Sequence, residues 1–450
     1  MNESVILHYG TPLDESGVIR ILTIAQNLSS LGAIVSTIIF VPKMNSWGRK
    51  NTAVYFGPAL FVFGSLAWIF GYYFTSVELT IVGTALYGIS SALKFGITKI
   101  YIGECAPEAI RGFCILATAI TAKLTGRIFQ FFAIEQIFGT DSKWVFIFIS
   151  ALLLCLIYMA VGSLIPESPK HMRMKNKDEK EIIKSIRKYH GNSVDEVEVL
   201  REFDKEISMT TASSMRDIFR DKGIWGSLKI ILMGAMIPCL GITEVLIVNS
   251  IILKVRYGFS DSNAVLFDSI GGFIFLPLNL VTPYLFEKIG RRPLMLLSIF
   301  INFVSCLIIF FTQVIYSITG PTILTIILSG LFTVLNFLIT SLGIEMFAIL
   351  LLADLFPVNL KSSGIQVIFI TGGITSITAT FYFSIFQSIF GAFVYFPFIF
   401  AQLFFLIYFW KYLPETKQKT IHQNYQEVRS RGNSYIRSET LDSAKYGTFE

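Results

Sequence analysis

Residues 287–294 read EKIGRRPL, and residues 48–50 repeat the centre of that segment as GRK. Each copy lies between two apolar stretches. Two further pairs of motifs recur at almost the same separation along the chain: an acid followed seven residues later by a base, and a Pro-Glu dipeptide followed by Ser or Thr. They are Glu104 with Arg111, Asp354 with Lys361, Pro166-Glu167-Ser168 and Pro414-Glu415-Thr416. Such repetition predicts two similar halves.

The composition indicates a membrane protein. Of 450 residues, 53% are hydrophobic and only 15% are charged, and the mean hydropathy of +0.63 lies outside the range of soluble globular domains. A membrane-spanning helix needs about 20 apolar residues. We identify eleven candidate spans: 21–41, 53–74, 79–101, 113–134, 144–165, 230–253, 265–286, 294–311, 323–352, 365–390 and 394–412.

The distribution of Lys and Arg predicts the orientation, because cytoplasmic loops carry the excess of positive charge. The loops around residues 48–50 and 288–292, the segment 170–222 and the tail after residue 411 are rich in Lys and Arg. We therefore expect a multi-pass protein of the plasma membrane, with these segments and the C-terminus on the cytoplasmic side. The net charge of +6 then reflects topology and gives no reason to expect nucleic-acid binding.

The predicted organisation is an N-terminal helix bundle (1–165), a cytoplasmic linker with short amphipathic helices (166–225), a C-terminal helix bundle (226–413) and a cytoplasmic tail (414–450). Two spans precede the second GR loop in the C-terminal half, but only one precedes the first GR loop. The first span of the repeat is therefore missing. An incomplete gene model, an alternative start or a natural eleven-span protein would each explain this.

Five motifs, at residues 48–50, 104–112, 166–170, 287–294 and 413–417, together resemble those of the sugar porters of the major facilitator superfamily, and especially insect facilitated trehalose and glucose transporters. The resemblance implies an all-α, polytopic membrane protein with a two-bundle fold that exposes a central site to each side in turn. It also implies a cytoplasmic gate, formed by Gly48, Arg49, Lys50, Glu104, Arg111, Glu167, Glu287, Lys288, Gly290, Arg291, Arg292, Asp354, Lys361 and Glu415.

The gate is expected to work through charge. Its carboxylates would pair with its cations across the two bundles while the site faces outward, and these pairs would break when the site faces inward. Each exposed pair contributes about 0–1 kcal/mol, but several together can bias a two-state equilibrium. The alternative is that these residues only cap helices and fix the topology.

The sugar contacts of the family are poorly matched in this sequence. The family's glutamine pair falls on Ile237 and Pro238, its asparagine on Thr243 and its tryptophan on Ile349. A site without such hydrogen-bonding groups loses discrimination for hydroxylated solutes. A sugar is therefore expected from the resemblance alone.

Ionisable residues at membrane depth suggest where the solute binds, because burying them in a bilayer is costly without a function or a partner. Lys123 and Arg127 lie one turn apart on the fourth candidate span and share a helix face. Together with polar residues of the fourth, sixth and ninth spans they form the candidate substrate-binding site: Lys123, Arg127, Gln130, Thr243, Glu244, Asn249 and Glu345. The alternative is that the charges pair with one another or that the lysines snorkel.

We predict a facilitative carrier that moves a small polar solute, with a sugar as the first expectation and a small organic anion as an alternative substrate. A transport-inactive relative that acts as a sensor or regulatory membrane protein is the rival function. No metal cluster, phosphate loop or nucleophile-base pair supports an enzyme or a cofactor, and the five cysteines lie in or beside the spans as small apolar residues. The expected partners are the lipid bilayer and the solute; the oligomeric state is left open.

Overall fold

The computed structural model describes residues 6, 10, 15–135, 137–140, 142–192, 194–209, 225–241, 243–356 and 361–416. Within these residues the elements are all helical, which confirms the all-α prediction. The first half contains five long helices: α1 (Glu15–Ile39), α2 (Gly57–Tyr73), α3 (Val77–Cys105), α4 (Glu108–Phe132) and α5 (Val145–Ser163). A π-helical turn, Asn51–Phe56, leads into α2.

The linker forms three short helices and the second half forms nine helical segments, among the described residues. The linker helices are α6 (Pro169–Met174), α7 (Glu179–His190) and α8 (Glu196–Met209). The segments of the second half are α9 (Trp225–Leu240), α10 (Thr243–Arg256), α11 (Asp261–Ile274), α12 (Leu276–Lys288), α13 (Arg291–Thr319), α14 (Ile323–Ser341), α15 (Phe347–Leu355), α16 (Lys361–Phe390) and α17 (Phe396–Tyr412).

Eight helical stretches among the described residues are long and apolar enough to cross a membrane. One of them, Ser363–Tyr412, contains both α16 and α17. With α4 and the α9–α10 pair, these stretches correspond to the eleven predicted spans. Their outward surfaces carry many exposed apolar side chains, for example Leu153 and Ile157 on α5, as expected for helices that contact lipid tails.

Apart from 265–286, which is interrupted at Phe275 between α11 and α12, two predicted spans, 230–253 and 323–352, are not continuous helices. The first breaks at Gly241 between α9 and α10, just after Pro238, which lacks the backbone donor that an unbroken helix needs. The second breaks between α14 and α15, where Gly343 adopts φ +80° before a single 3-10 turn, Ile344–Met346. Mean hydropathy does not register such breaks. Irregular backbone at membrane depth is tolerated where it lines a cavity.

The ends of several helices are fixed by local sequence. Ser76 and Ser260 accept hydrogen bonds from the first-turn amides of α3 and α11, and Thr322 with Thr325 forms a capping box at α14. Gly290 precedes α13 with φ +109°, a conformation that L side chains rarely adopt. The glycines of the repeated GR loops are thus needed for the tight reversal between helices.

The two halves meet where α1 packs on α16 and α10 and where α4 packs on α11 and α12. α1 packs on α16, where Thr380 donates a 2.5 Å hydrogen bond to Asn27 Oδ1, and α4 packs on α11, where Ser269 donates to the Gln130 carbonyl at 3.3 Å. These contacts lie toward the face of the protein away from the linker. We call the side that holds the GR loops and α6–α8 the linker face, and the other side the opposite face.

The linker has a small core of its own. Ile182 and Ile186 of α7 are fully buried against Met172 of α6 and Phe203 of α8. The short amphipathic helices predicted in the linker correspond to α7 and α8, and α6 is an additional short helix. This core ties the three helices into one unit beneath the first half, with which α6 packs through α3.

Candidate functional site

A cavity of about 440 Å³ lies between the two halves. Helix α4 of the first half and α10, α11, α12 and α14 of the second contribute to its wall. The lining residues are Lys123, Gly126, Arg127, Gln130, Thr243, Ser250, Asp268, Asn279, Phe332, Thr333, Asn336, Phe337, Thr340, Ser341 and Glu345. The volume falls within the range of about 300–1,000 Å³ that is typical of small-molecule sites.

Five of the seven candidate substrate-binding residues line this cavity: Lys123, Arg127, Gln130, Thr243 and Glu345. Asn249 is buried in α10 and is not among the lining residues. The side chain of Glu244 lies outside the described residues. Residues far apart in the sequence are thus brought together, but a role in binding a solute stays a prediction for each of them.

Lys123 joins the two halves at the cavity wall. Its ammonium donates to Asn279 Oδ1 at 2.7 Å and to the Thr340 carbonyl at 2.8 Å. Thr340 lies in the last turn of α14, where free carbonyl groups and the helix dipole attract a cation. The contact of Lys123 with a helix end across the halves agrees with the structural alternative, in which the charge has a protein partner.

The Arg127 guanidinium, unlike the Lys123 ammonium, is held by a side chain of its own helix and by an aromatic ring. One guanidinium nitrogen donates to Gln130 Oε1 at 2.7 Å, and the guanidinium lies 5.2 Å from the ring centroid of Phe337. Gly272 of α11 makes room for it, since a Cβ there would lie 2.7 Å from Arg127 Cδ. Among the described residues Arg127 forms no ion pair within 4 Å. In this part of the chain no carboxylate therefore engages its remaining N–H groups.

Two carboxylates line the same cavity in different settings. Asp268 forms a buried ion pair with Lys254, and Ser250 donates to its other oxygen at 3.0 Å. Glu345 is exposed to the cavity and forms no hydrogen bond or ion pair within the described part of the chain. The sequence pointed to Glu345 but not to Asp268.

Two buried polar atoms of the lining residues lack a hydrogen-bond partner among the described residues: Thr243 Oγ1 and Asn336 Oδ1. Leaving such an atom unpaired costs about 1–3 kcal/mol. Water or a polar solute in the cavity can satisfy both. Asn336 was not foreseen from the sequence, because an amide within an apolar helix is usually a helix contact, and its Nδ2 does contact Ser305 Oγ at 3.1 Å.

The gate residues of the first half cluster around Arg49. Its Nε donates to both oxygens of Glu104, at 3.1 and 3.2 Å, and its Nη1 donates to His171 Nδ1 at 2.5 Å. Ser168 donates to Glu104 Oε2 at 2.7 Å. Burial and the charges of Arg49 and Lys175 lower the pKa of His171 to about 4. The acceptor role of Nδ1 toward Arg49 likewise requires the neutral imidazole.

The two GR loops share one arrangement with the Pro-Glu motifs. Glu167 accepts from the amide of Lys50 at 2.9 Å, and Glu415 accepts from the amides of Arg291 and Arg292 at 3.1 and 3.2 Å. A Cβ at Gly48 or Gly290 would lie 2.4 or 2.8 Å from the carboxylate oxygen. In both halves a carboxylate thus sits at the amino end of a helix, where the amides and dipole stabilise it.

The described contacts of the remaining gate residues also fall within one half. Arg291 forms an ion pair with Asp354, which accepts from Thr416 Oγ1 at 2.8 Å. Arg292 donates to the Trp410 carbonyl at 2.6 Å, and Lys50 donates to the Ser163 carbonyl at 2.9 Å. The Lys288 ammonium lies 5.7 Å from the Tyr284 ring centroid. The side chains of Arg111, Glu287 and Lys361 lie outside the described residues.

A second cavity of about 340 Å³ separates the halves on the linker face. It is lined by α1 and the loop after it, by α3 and by the first turns of α16. The lining residues are Thr37, Ile38, Val41, Pro42, Met44, Asn45, Ala92, Gly96, Ile100, Ser363, Ile365, Gln366 and Phe369. The halves therefore touch toward the opposite face and leave space between them on the linker face.

A family model described as "Sugar (and other) transporter" matches residues 12–427. The chain belongs to this family. It is thus a polytopic membrane transporter of the major facilitator superfamily, as the repeated motifs indicated. The family is one of membrane transporters, which agrees with the absence of enzyme motifs noted in the sequence.

Curated relatives are facilitated glucose transporters. Human member 11 of solute carrier family 2 is 23% identical over 99% of this chain and 90% of its own length. Human member 5 is 22% identical over 98% of this chain and 88% of its own length. Mouse member 7 is 22% identical over 68% of this chain, and the match spans only 60% of the mouse protein. The particular likeness to insect transporters stays a prediction.

Solved structures share the fold. The inward open conformation of the xylose transporter XylE from E. coli gives a TM-score of 0.72 at 18% identity, over 95% of this chain and 93% of that one. The partially occluded inward open conformation gives 0.68 at 19% identity, with 93% of each chain covered. At this level of identity the likeness establishes the two-bundle fold alone.

Proposed function

We propose that this transporter is a facilitative carrier that moves a small polar solute, in the first place a sugar, by alternating access. The observation that carries the proposal is the 440 Å³ cavity between the halves. Its polar wall includes Thr243 Oγ1 and Asn336 Oδ1, two buried atoms without a partner in the described residues. Hydroxyl groups of a sugar match such atoms, because each hydroxyl both donates and accepts.

The names of the relatives support a sugar as the first candidate. Those proteins are called facilitated glucose transporters, and the structural neighbours are structures of a xylose transporter. The chain itself offers amide groups at Gln130, Asn279 and Asn336 around the cavity. Amide groups can form paired hydrogen bonds with neighbouring hydroxyls of one sugar ring.

We infer that the structure represents the state open toward the cytoplasm, with the linker face on that side. Three observations support this: the 340 Å³ cavity on the linker face, the Asn27–Thr380 contact toward the opposite face, and the pairing of Arg49 and Arg291 within their own halves. In the outward-facing state, the gate carboxylates would instead pair with cations across the bundles. The gate role of these residues is part of the proposal.

A small organic anion is a second candidate because of the charges on the cavity wall. Lys123 donates only to neutral oxygens, and Arg127 forms no ion pair among the described residues. A carboxylate on the solute could engage the free N–H groups of Arg127 in a charge-assisted contact, roughly twice as strong as a neutral hydrogen bond. Glu345 opposes this, since it places a negative charge on the same wall.

Uptake into proteoliposomes tests the proposal and separates the candidates. The full chain would be reconstituted and supplied with labelled glucose, fructose, xylose, glucuronate and succinate. Saturable uptake of a neutral sugar supports the first candidate, and saturable uptake of only the anions supports the second. Asn336→Leu should reduce sugar uptake at least ten-fold, while Asn302→Leu serves as a control, because Asn302 is a buried amide of α13 outside the cavity wall. A correctly inserted protein that moves none of these solutes would favour the transport-inactive rival.

The plasma membrane is the proposed location, with the C-terminus on the cytoplasmic side. The cytoplasmic orientation is supported by the excess of Lys and Arg on the linker face, at Lys50, Lys288 and along α7. We also propose the four-part division into two bundles, a linker and a tail. Labelling of a C-terminal tag in intact and permeabilised cells checks the orientation, and labelling in intact cells would contradict it.

A further inference from the structure

Helix α7 of the linker has two chemically distinct sides. Its apolar side is buried, with Ile182 at 1% and Ile186 at 0% exposure in the linker core. Its other side is exposed and basic. Successive turns of that side carry Lys180, Lys184, Arg187 and Lys188, which the 3.6-residue helical period places within one arc. Glu181 stands at the edge of this arc.

The basic side of α7 lies where a membrane span ends. Lys188 donates from its ammonium to the Leu164 carbonyl at 2.7 Å, immediately after the last residue of α5. Lys50 donates to the neighbouring Ser163 carbonyl at 2.9 Å. Leu164 and Val161 are 74% and 59% exposed, as expected of apolar side chains that contact lipid. The cations therefore lie level with the boundary between acyl chains and headgroups.

A hollow of about 610 Å³ lies on this basic side. It is lined by Lys180, Ile183, Lys184, Arg187, Lys188, Asn192 and Glu196. Arg187 is neutralised by Glu196, with Nε 2.5 Å from Oε1. The side chains of Lys180 and Lys184 form no ion pair within the described part of the chain. The hollow thus offers two uncompensated ammonium groups, with Lys188 beside them at the membrane boundary.

We propose that this hollow binds the phosphorylated headgroup of a phosphoinositide in the leaflet on the linker face. The hollow and the headgroup have complementary charges at the same depth. A monoester phosphate is a concentrated negative charge, and clusters of Lys on an amphipathic helix next to a span attract such lipids. The exposed Leu164 and Val161 lie beside the hollow, where the acyl chains of the same lipid would run. The site is separate from the solute cavity and does not depend on which solute is carried.

The consequence is a link between lipid and linker. The bound headgroup would bridge α7 to the end of α5, because Lys188 already contacts Leu164 there. The linker packs in turn against Arg49 through His171. A phosphoinositide at this site would therefore stabilise the arrangement of linker and first half that the structure describes.

Binding of a soluble lipid analogue to the purified full chain tests the proposal. Dioctanoyl phosphatidylinositol 4-phosphate and dioctanoyl phosphatidylcholine would be titrated into the labelled protein in a neutral detergent, with thermophoresis as the readout. We expect the phosphoinositide to bind at least ten-fold more tightly. The triple variant K180Q/K184Q/K188Q should lose roughly 100-fold in affinity, since each Lys near an acidic surface contributes a factor of about five.

The matched control is K175Q/K177Q/R201Q, which removes the same charge from exposed linker residues that do not line the hollow. It should bind like the wild type. Equal affinity of the two triple variants, equal affinity for the two lipids, or competition by inorganic phosphate at the lipid's own concentration would overturn the proposal. If the first variant does not fold, the salt dependence of the wild type tests the proposal. Its affinity for the phosphoinositide must fall steeply between 50 and 500 mM salt, and an affinity that does not change with salt contradicts an electrostatic site.

Discussion

Replacing Lys123 with methionine should shift the balance between the two conformations of the transporter. Lys123 is a bridge between the halves, with hydrogen bonds of 2.7 Å to Asn279 and 2.8 Å to the Thr340 carbonyl. Methionine keeps the length and apolar stem of the side chain and removes its three donors. The contacts between the halves that hold this state together are therefore weakened, while the packing inside each half is retained.

The size of the shift follows from the number of bonds lost. Each hydrogen bond contributes about 1 kcal/mol net, so two contribute about 2 kcal/mol. Because about 1.4 kcal/mol corresponds to a factor of ten in an equilibrium constant, the variant should favour the other state about 30-fold more than the wild type does. Differential stabilisation of one state is the only way in which a contact can move such an equilibrium.

The assay is labelling of a cysteine between the halves. Ser376 is buried on the face of α16 that packs on α1, one turn from Thr380, which contacts Asn27. In a Ser376→Cys background with Cys114 replaced by serine, a membrane-impermeant maleimide added from the opposite face should react faster in the Lys123→Met variant. The four other native cysteines are buried and should contribute little.

Lys94→Met is the matched control. It also removes a lysine from a span, but the Lys94 ammonium lies 3.9 Å from the Phe61 ring centroid, entirely within the first half. This control should label at the wild-type rate. Equal labelling rates in Lys123→Met and wild type, in correctly inserted protein, would refute the view that Lys123 holds the halves together.

Two further predictions concern the gate and the linker. Gly290→Ala should lower the melting temperature more than Gly320→Ala does. Both glycines have positive φ, but only a Cβ at Gly290 meets the Glu415 carboxylate, at 2.8 Å. Similar losses in the two variants would contradict the close packing of Glu415 against the GR loop. His171→Asn should flatten the fall in melting temperature between pH 6.5 and 4. The folded state lowers the pKa of His171 to about 4. Between pH 6.5 and 4 the unfolded chain therefore binds more protons than the folded chain, and the stability of the wild type declines as the pH falls. Parallel pH profiles of the wild type and the variant would contradict this.

The fold could be predicted because the sequence repeats its own loop chemistry. The GR loops, the acid-base pairs and the Pro-Glu motifs each mark a helix end, and the structure shows a shared reason for two of them, the carboxylates of Glu167 and Glu415 that accept from loop amides. Hydropathy then predicted the spans. It could not predict the breaks at Gly241 and Gly343, because an average over apolar residues does not register a lost backbone hydrogen bond.

The candidate site was predicted in part for a related reason. Charges at membrane depth, such as Lys123, Arg127 and Glu345, stand out in an apolar sequence, and all three line the cavity. Asp268 was missed because its partner Lys254 lies near a helix end and looks like a loop charge. His171 was missed because its contact with Arg49 joins the linker to a loop more than 100 residues away in sequence.

Counterflow is the measurement that tests alternating access through one central site most directly. Proteoliposomes with the full chain would be preloaded with unlabelled sugar at high concentration and diluted into a trace of the same labelled sugar. Alternating access predicts a transient accumulation of label inside above its equilibrium level, which Asn336→Leu abolishes or strongly reduces. Entry of label without any such overshoot, or at the same rate with and without preloaded sugar, would contradict a carrier whose single site faces each side in turn.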